Sequence, residues 1–415
     1  MDVRYPPEAE AFRSTVRDFL ERHLPPGWKG VGALSAEEGY RFVDQWRGRL
    51  RQAGYLAVSW PKEYGGSDLS ALEQVVLMEE FTRAGVPGGG PNDVFGIQMI
   101  GNTLLQWGSE EQKHRFLPRI LSGADIWCQG YSEPDAGSDL GNLATRAVRD
   151  GDEWVIDGQK IWTSYGHLSN WIFVVARTDP SAPKHKGITF LLVPMDQPGV
   201  EVRPIRMLSG DSEFNEVFFT GARTAASNIV GEVNGGWAVA MTLLGYERGE
   251  AAATFPLRFR EEFDKLVALA RDRGAHRDPV IRQCIAKRYA EVEMMRFLGM
   301  RSLTRFLAGE QPGPESSVFK IYWSEYHQRV TELAMDILGM EATAPGVKTG
   351  PVTFPTDYSG SANNAANWYD VFLKARSGTI YAGTSQVQRN ILGERVLGLP
   401  KEPRSDSGPW SSSRH

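Results

Sequence analysis

Three segments of this sequence carry side chains able to bind or react, and one helical stretch carries a carboxylate on its apolar side. The first segment, Gln129-Gly-Tyr-Ser-Glu-Pro-Asp-Ala-Gly-Ser-Asp139, mixes small residues with hydroxyls. A loop of that make-up exposes backbone N–H groups, which suits a polar, partly anionic ligand. It reads equally as an ordinary Pro/Gly connection. The second, Trp154-Val-Ile-Asp-Gly-Gln-Lys-Ile-Trp-Thr-Ser164, predicts a hairpin turning at Asp157-Gly158. It ends in Trp162, Thr163 and Ser164, a stacking surface followed by hydroxyls, and could also be a core strand. The third, Gly378-Thr-Ile-Tyr-Ala-Gly-Thr-Ser-Gln-Val-Gln-Arg-Asn-Ile-Leu392, runs a Gly-containing loop into a helix whose first turn starts near Thr384. Free N–H groups and the helix dipole favour anions there, a cue toward a phosphate-bearing ligand.

Glu247 stands in Leu-Leu-Gly-Tyr-Glu-Arg-Gly-Glu, at the helical offsets of Ala240, Leu244, Ala251 and Phe255. Burying an unpaired carboxylate is costly unless it is protonated or paired. Desolvation also raises its pKa, which makes it a competent base near neutrality. The bland alternatives are a partner for a surface Arg or a helix-packing ion pair with Arg248; Glu250, on a more exposed edge, is the other carboxylate. The seven histidines show no ligand spacing, so no metal site is expected. His167 reads as a solvent-facing loop residue, although it lies close enough to Ser164 to approach a bound group. Cys128 reads as a small core residue rather than a nucleophile.

These residues need elements to position them. Helical periodicity covers Glu8 to Arg22, Tyr40 to Ala53 and Leu72 to Arg83, then Ile100 to Trp107 and a helix capped by Ser109 that reaches Leu121. Residues 85–96 form a Gly/Pro loop. From about Ile126 the period changes to β-rich runs separated by turns, a mostly antiparallel β block. Helices return at Trp237–Phe255, Val280–Leu307, Ser316–Leu338 and Gln386–Val396. The fold class is therefore α+β and multidomain: helical over 1–125, β over 126–235, a helical bundle over 236–400 and a disordered polar tail over 401–415. Segregation of helices and strands argues against a βαβ nucleotide-binding fold, and GGG at 88–90 lacks the flanking strand and helix of a dinucleotide fingerprint.

Bulk properties narrow the classes. The 415 residues carry 46 basic and 51 acidic side chains, which gives no electrostatic case for nucleic acid. The N-terminus lacks an apolar signal core, and no apolar run is long enough to span a membrane. Two cysteines without a CxxC partner fit a reducing, cytoplasmic compartment.

Together the SEPDAGSD loop, the DGQKIWTS segment and the YAGTSQVQRNILGERVLGLP end resemble the acyl-CoA dehydrogenase family in type and order, as does WGSEEQKHRFLPRILSG. The resemblance spans roughly residues 6–402. It implies a helical N-terminal domain, a β middle domain and a C-terminal four-helix bundle, with FAD held between subunits. It implies that Ser132 and Ser164 hydrogen-bond the flavin, with Trp162 and Tyr131 beside it. Thr384 and Gln386 meet the FAD diphosphate and ribose. Ser138 lies near the CoA pantetheine or diphosphate, and Ala382 and Arg248 line the substrate side.

The family reaction removes an α proton from an acyl-CoA thioester and passes a β-hydride to flavin, so it needs a carboxylate base. Many members place it directly after the tyrosine of a Tyr-Glu-Gly-Thr motif, where this chain has Tyr381-Ala382-Gly383-Thr384. Leu-x-x-Glu-Arg around Glu247 resembles the isovaleryl- and long-chain-type members, in which the base comes from this helix. Two further departures fall in the half of the FAD site given to a partner: Arg271 to Asp278 replaces Arg-x-x-Phe-Gly, and Asp336-Ile-Leu-Gly-Met340 replaces Gln-x-x-Gly-Gly. Both are similar to actinobacterial steroid side-chain dehydrogenases built from two related subunits. The resemblance thus implies an electron-transferring flavoprotein as electron acceptor, a homo- or hetero-oligomer (dimer or tetramer), and a place in lipid or steroid side-chain β-oxidation. An oxidase of the same fold and a non-catalytic partner subunit are the competing readings.

Overall fold

Local chemistry sets the helix ends. Ser35, Ser70 and Ser109 each accept from the backbone N–H three residues on, and Glu38, Glu73 and Gln112 reach back to the cap. These boxes start α2 (Ala36–Ala53), α3 (Ala71–Ala84) and α5 (Glu110–Ser122), and Gly54, Gly85 and Gly123 end them in the left-handed conformation. Helix α1 (Pro7–His23) precedes them, and α4 (Asn102–Trp107) follows a π-helical stretch over Val94–Gly101. The loop expected to run to Gly96 therefore stops at Asp93. The computed structural model describes residues 5–307, 313–314, 316–346, 359–401, 403 and 408–412; the side chains of 246–253, 306 and 307 lie outside the described set.

The chain divides into two units. One comprises Met1–Ser59, Asp68–Gly89 and Arg248–Leu399. In it Arg13 and Arg17 of α1 clasp the buried Glu80 of α3 at 2.6 and 2.8 Å. Its helical bundle consists of the later part of α6 (Gly236–Asp272), α7 (Pro279–Leu307), α8 (Ser316–Leu338) and α9 (Ala365–Ala375). Phe259, Phe263, Leu266, Trp323, Tyr326 and Trp368 build its core. Helix α6 runs well past the expected Phe255, with Pro256 inside it, and α9, capped by Asn364, was not anticipated. The short α10 (Ser385–Ile391) starts at Thr384, whose Oγ1 accepts from the Val387 N–H at 3.2 Å, and a π turn continues it over Leu392–Val396.

The other unit comprises Trp60–Ser67, Gly90–Glu247 and Pro400–His415. It holds β1 (Trp127–Gly130), β2 (Arg146–Asp150), β3 (Glu153–Ser164), β4 (Trp171–Arg177), β5 (Ile188–Pro194), β6 (Val200–Pro204) and β7 (Phe214–Ala225). The order is β1-β4-β2-β3-β7-β6, with β5 on β4; β1 and β2 meet β4 in parallel and the other pairs are antiparallel.

Two expectations are corrected here. Asp157-Gly158 is not a hairpin turn, because β3 continues through it with partners on both sides, Arg146 opposite Asp157 and Phe219 opposite Gly158. The register shifts at Ile156/Asp157 and Gly158 sits at φ 148°, so the glycine serves a bulge. A bulge and a turn need the same backbone freedom, and only the strand partners tell them apart. The C-terminal tail, expected to be disordered, is ordered over Gly408–Ser412: Trp410 is 8 % exposed and its N–H donates to the Ala182 carbonyl at 3.0 Å. One aromatic in a Ser-rich stretch supplies enough apolar area to dock it.

Gly236, which opens α6, touches β5. A Cβ there would stand 2.4 Å from the Phe190 nitrogen and 2.5 Å from the Thr189 carbonyl carbon. Backbone cannot rotate out of the way, so Gly236→Ala is expected to cost about 1–3 kcal/mol and to lower the thermal midpoint measurably by calorimetry. No described helix is long and apolar enough to cross a membrane, and no metal-ligating cluster occurs among the described residues.

Candidate active site

The first two motif segments meet through a buried ion pair. Lys160 of β3 is fully buried, and its Nζ donates to the Tyr131 carbonyl at 3.0 Å and to Glu133 at 2.8 Å. The Glu133 carboxylate also accepts the N–H groups of Ala144 (2.6 Å) and Thr145 (2.8 Å). Burial pushes the Glu133 carboxyl up, but the Lys160 ammonium and these donors hold it below the ordinary carboxylate range. The Ile161 N–H donates to the Ser132 carbonyl at 2.9 Å. Tyr131, Ser132 and Glu133 are thereby laid along Lys160 and Ile161, and Trp162 to Ser164 follow directly. Arg177 fastens the far end of the loop, donating from Nη2 to the Gly141 carbonyl at 2.7 Å and from its N–H to the Thr145 carbonyl at 2.7 Å.

Trp162 is the exposed product of this arrangement. It sits at φ +61°, where the β3–β7 register shifts between Lys160 and Thr163, and the residue is 56 % exposed. A bulky residue in that region costs on the order of 1–3 kcal/mol and persists only where its surroundings hold it. They do: Asn215 Nδ2 donates to the Thr163 carbonyl at 2.9 Å, and the Tyr165 N–H donates to the Glu213 carbonyl at 2.8 Å. The ring of Phe214 meets Trp162 edge-on at 6.0 Å. Ser132 and Ser164 are half-buried, Tyr131 is buried and Ser138 is exposed. Thr163 Oγ1 and Gln129 Nε2 are buried without a hydrogen-bond partner among the described residues. His167 faces solvent as expected, with Nδ1 3.2 Å from Asn215 Oδ1. Cys128 is fully buried, and burial pushes its thiol up to about 12, as a core residue requires.

The third motif lies in the other unit. Ala382 (φ +51°) and Gly383 (φ 84°) form a left-handed turn, held by Gln388 Nε2 donating to the Ala382 carbonyl at 3.0 Å. Thr384 and the exposed Gln386 line an open cavity of about 470 Å³ together with Gln328, Arg329 and Arg389. In this unit Arg273, within the first segment that departs from the family pattern, pairs at 2.5 Å with Glu341, the residue that follows the second such segment. The backbone of Glu247, Arg248 and Glu250 is helical within α6, and their side chains lie outside the described set. Sequence reasoning missed Lys160, Glu133 and Arg177. Their only signal was a lysine and an arginine set among β-strand apolar residues.

A helical N-terminal region, a seven-stranded sheet and a helical bundle, with an exposed strained tryptophan followed by two hydroxyl residues, define a class. The acyl-CoA dehydrogenase N-terminal, middle and C-terminal domains match residues 6–124, 128–222 and 234–397. The chain belongs to the acyl-CoA dehydrogenase family. It is 42 % identical over 401 residues to acyl-CoA dehydrogenase IpdE1 of Mycobacterium tuberculosis, covering 96 % of this chain and 99 % of that one. It is similar in structure to the Tcur3481-Tcur3483 steroid ACAD (TM-score 0.79, 35 % identity, 97 % and 100 % covered). It is also similar to a chain of the ChsE4-ChsE5 complex from Mycobacterium tuberculosis (TM-score 0.77, 29 % identity, 97 % and 100 % covered). The protein is an acyl-CoA dehydrogenase, an oxidoreductase whose cofactor is FAD. The residues present fit that group: the exposed Trp162 indole offers a face to a flat ring, and the half-buried hydroxyls of Ser164, two residues on, and of Ser132, whose carbonyl is bonded to the Ile161 N–H, offer hydrogen bonds.

Proposed function

We propose that this chain dehydrogenates a bulky, branched or steroid-derived acyl-CoA with Glu247 as the α-proton base. The observation that carries the reading is the turn at Ala382. It presents a methyl group and a left-handed backbone where the family usually has its glutamate, so the proton must leave elsewhere. Glu247 follows the fully buried Ala240 by two helical turns in α6, the spacing that puts a carboxylate in line with an apolar position, and the reaction needs a carboxylate base. The small Ala382 leaves room for a wide acyl group, and its N–H suits an enolate oxygen. Glu250 is the alternative carboxylate.

Ser132 and Ser164 orient the flavin, Trp162 and Tyr131 pack beside it, and Thr384 and Gln386 receive its diphosphate and ribose. Ser138 is assigned to the CoA pantetheine or diphosphate, and Arg248 to the substrate. When bound, FAD supplies the two-electron acceptor for the β-hydride, and an electron-transferring flavoprotein then takes the electrons. The altered Arg271–Asp278 and Asp336–Met340 segments, with Arg273 of the first paired to Glu341 just after the second, favour a second, related chain completing the FAD site. The likeness to a steroid enzyme and to a two-chain complex supports both the substrate class and that partner.

Anaerobic titration with short, branched and steroid side-chain acyl-CoAs tests the reading through flavin absorbance. Bleaching is expected with the bulky thioesters. A flavin that bleaches equally well with straight short chains removes the substrate assignment. Protein that gains flavin and activity only when co-expressed with a related chain supports the two-chain site.

A further inference from the structure

The C-terminal segment docks where the first motif loop is anchored. Pro409 bridges to Pro183, and the N–H groups of Trp410 and Ser411 donate to the carbonyls of Ala182 and Pro180, each at 3.0 Å. The Trp410 ring lies on the Arg177 guanidinium, 4.7 Å from centroid to Cζ. Its Nε1 donates to Asn142 Oδ1 at 3.0 Å, across 268 residues of sequence. Arg177, 2 % exposed, carries the loop through the Gly141 carbonyl (2.7 Å) and the Leu143 carbonyl (3.3 Å). It also donates to the Lys184 carbonyl at 2.7 Å, and Lys184 Nζ pairs with Asp139 at 3.0 Å. One indole thus touches both the residue that fixes the loop from beneath and a residue of the loop itself. The span so fixed, Asp139 to Leu143, follows directly on the exposed Gly137 and Ser138.

We propose that Gly408–Ser412 is a clip and that Trp410 is a positioning residue, holding the Ser138–Asn142 segment in the shape that receives the CoA end of the substrate. The proposal rests on the assignment of Ser138 to the CoA side made above. Its energetic logic is preorganisation: a loop in the competent shape one-tenth of the time weakens apparent affinity about tenfold, and a clip that keeps it there removes that loss. The chemistry of bond breaking, which belongs to other residues, is untouched.

The test compares the full-length flavin-loaded protein with Trp410→Ala, Trp410→Phe and Asn142→Ala. Calorimetric binding of free CoA is measured beside acyl-CoA-dependent bleaching. Trp410→Ala is expected to raise both the CoA dissociation constant and the acyl-CoA half-saturation about tenfold. Maximal bleaching rate and flavin content should stay within about twofold, while amide exchange over 139–143 accelerates. Trp410→Phe keeps the ring on Arg177 but loses the bond to Asn142, so it falls between. Unchanged CoA affinity in Trp410→Ala overturns the proposal, as does a loss of affinity that merely tracks lost flavin. If Trp410→Ala does not fold, Asn142→Ala decides: weaker CoA binding supports the clip and wild-type binding overturns it. A wild-type protein that binds CoA but bleaches with no acyl-CoA defeats the assigned reaction and leaves the clip to be judged by CoA affinity alone.

Discussion

Glu247→Gln is expected to slow acyl-CoA-dependent flavin bleaching by at least about 10³-fold, within the usual contribution of a positioned general base. Flavin content and acyl-CoA binding should be retained, because the amide keeps the size of the carboxylate and loses only the ability to take a proton. Rapid mixing under anaerobic conditions reads the chemical step directly. A rate within tenfold of wild type would transfer the role to Glu250, and Glu250→Gln would then show the loss. The wild-type control separates the enzymic from the non-enzymic reading: a subunit that merely supports a catalytic partner shows no bleaching even with Glu247 intact. The expectation is sharp because the C-terminal loop carries Ala382 and cannot supply a second base.

The second large effect is on stability. Lys160→Met leaves the Glu133 carboxylate buried with its two backbone donors and no ammonium, and breaking a buried pair on one side costs about 3–5 kcal/mol. The thermal midpoint should fall by roughly 3–6 °C for a chain of this length, and, on the flavin roles proposed for Tyr131 and Ser132, flavin affinity should fall with it, since the Lys160 and Ile161 bonds hold those two residues along β3. Lys160→Met with Glu133→Gln should recover part of the loss, because the double change removes the stranded charge. The sign of the pH dependence follows from Glu133. Its carboxyl is held below the ordinary range, so its contribution is full above the unfolded value, roughly pH 4.3, and is lost as pH falls through the depressed folded value. The stability gap between wild type and Glu133→Gln should therefore close in acid. A gap that widens below about pH 4 would contradict the assignment of Lys160 as the partner that keeps the carboxylate charged.

Much of this molecule is written in short-range chemistry. Ser35, Ser70 and Ser109 with the acid or amide three residues on define helix starts, since a cap and its partner lie within one turn. The apolar runs of β4 and β5 are buried almost throughout and read directly as strands. Thr384 as the start of a helix was legible for the same local reason. The family was legible because its motifs keep type and order along the chain.

What stayed hidden is long-range. Asp157-Gly158 looks the same as a turn or as a bulge until β2 and β7 are placed on either side of β3. Lys160 reaches Glu133 across 27 residues and Trp410 reaches Asn142 across 268, pairings that no periodicity records. The strained backbone of Trp162 exists because Asn215 and Glu213 hold its neighbours, and those residues arrive from another strand. By itself the sequence determined most of the helices and strands, the three motifs and the absence of a glutamate after Tyr381, because each depends on residues close together in the chain. Tertiary structure alone decided which buried charges pin the motif loop, how Trp162 is exposed and where the C-terminal segment docks, because each requires groups far apart in sequence to meet and lose their water.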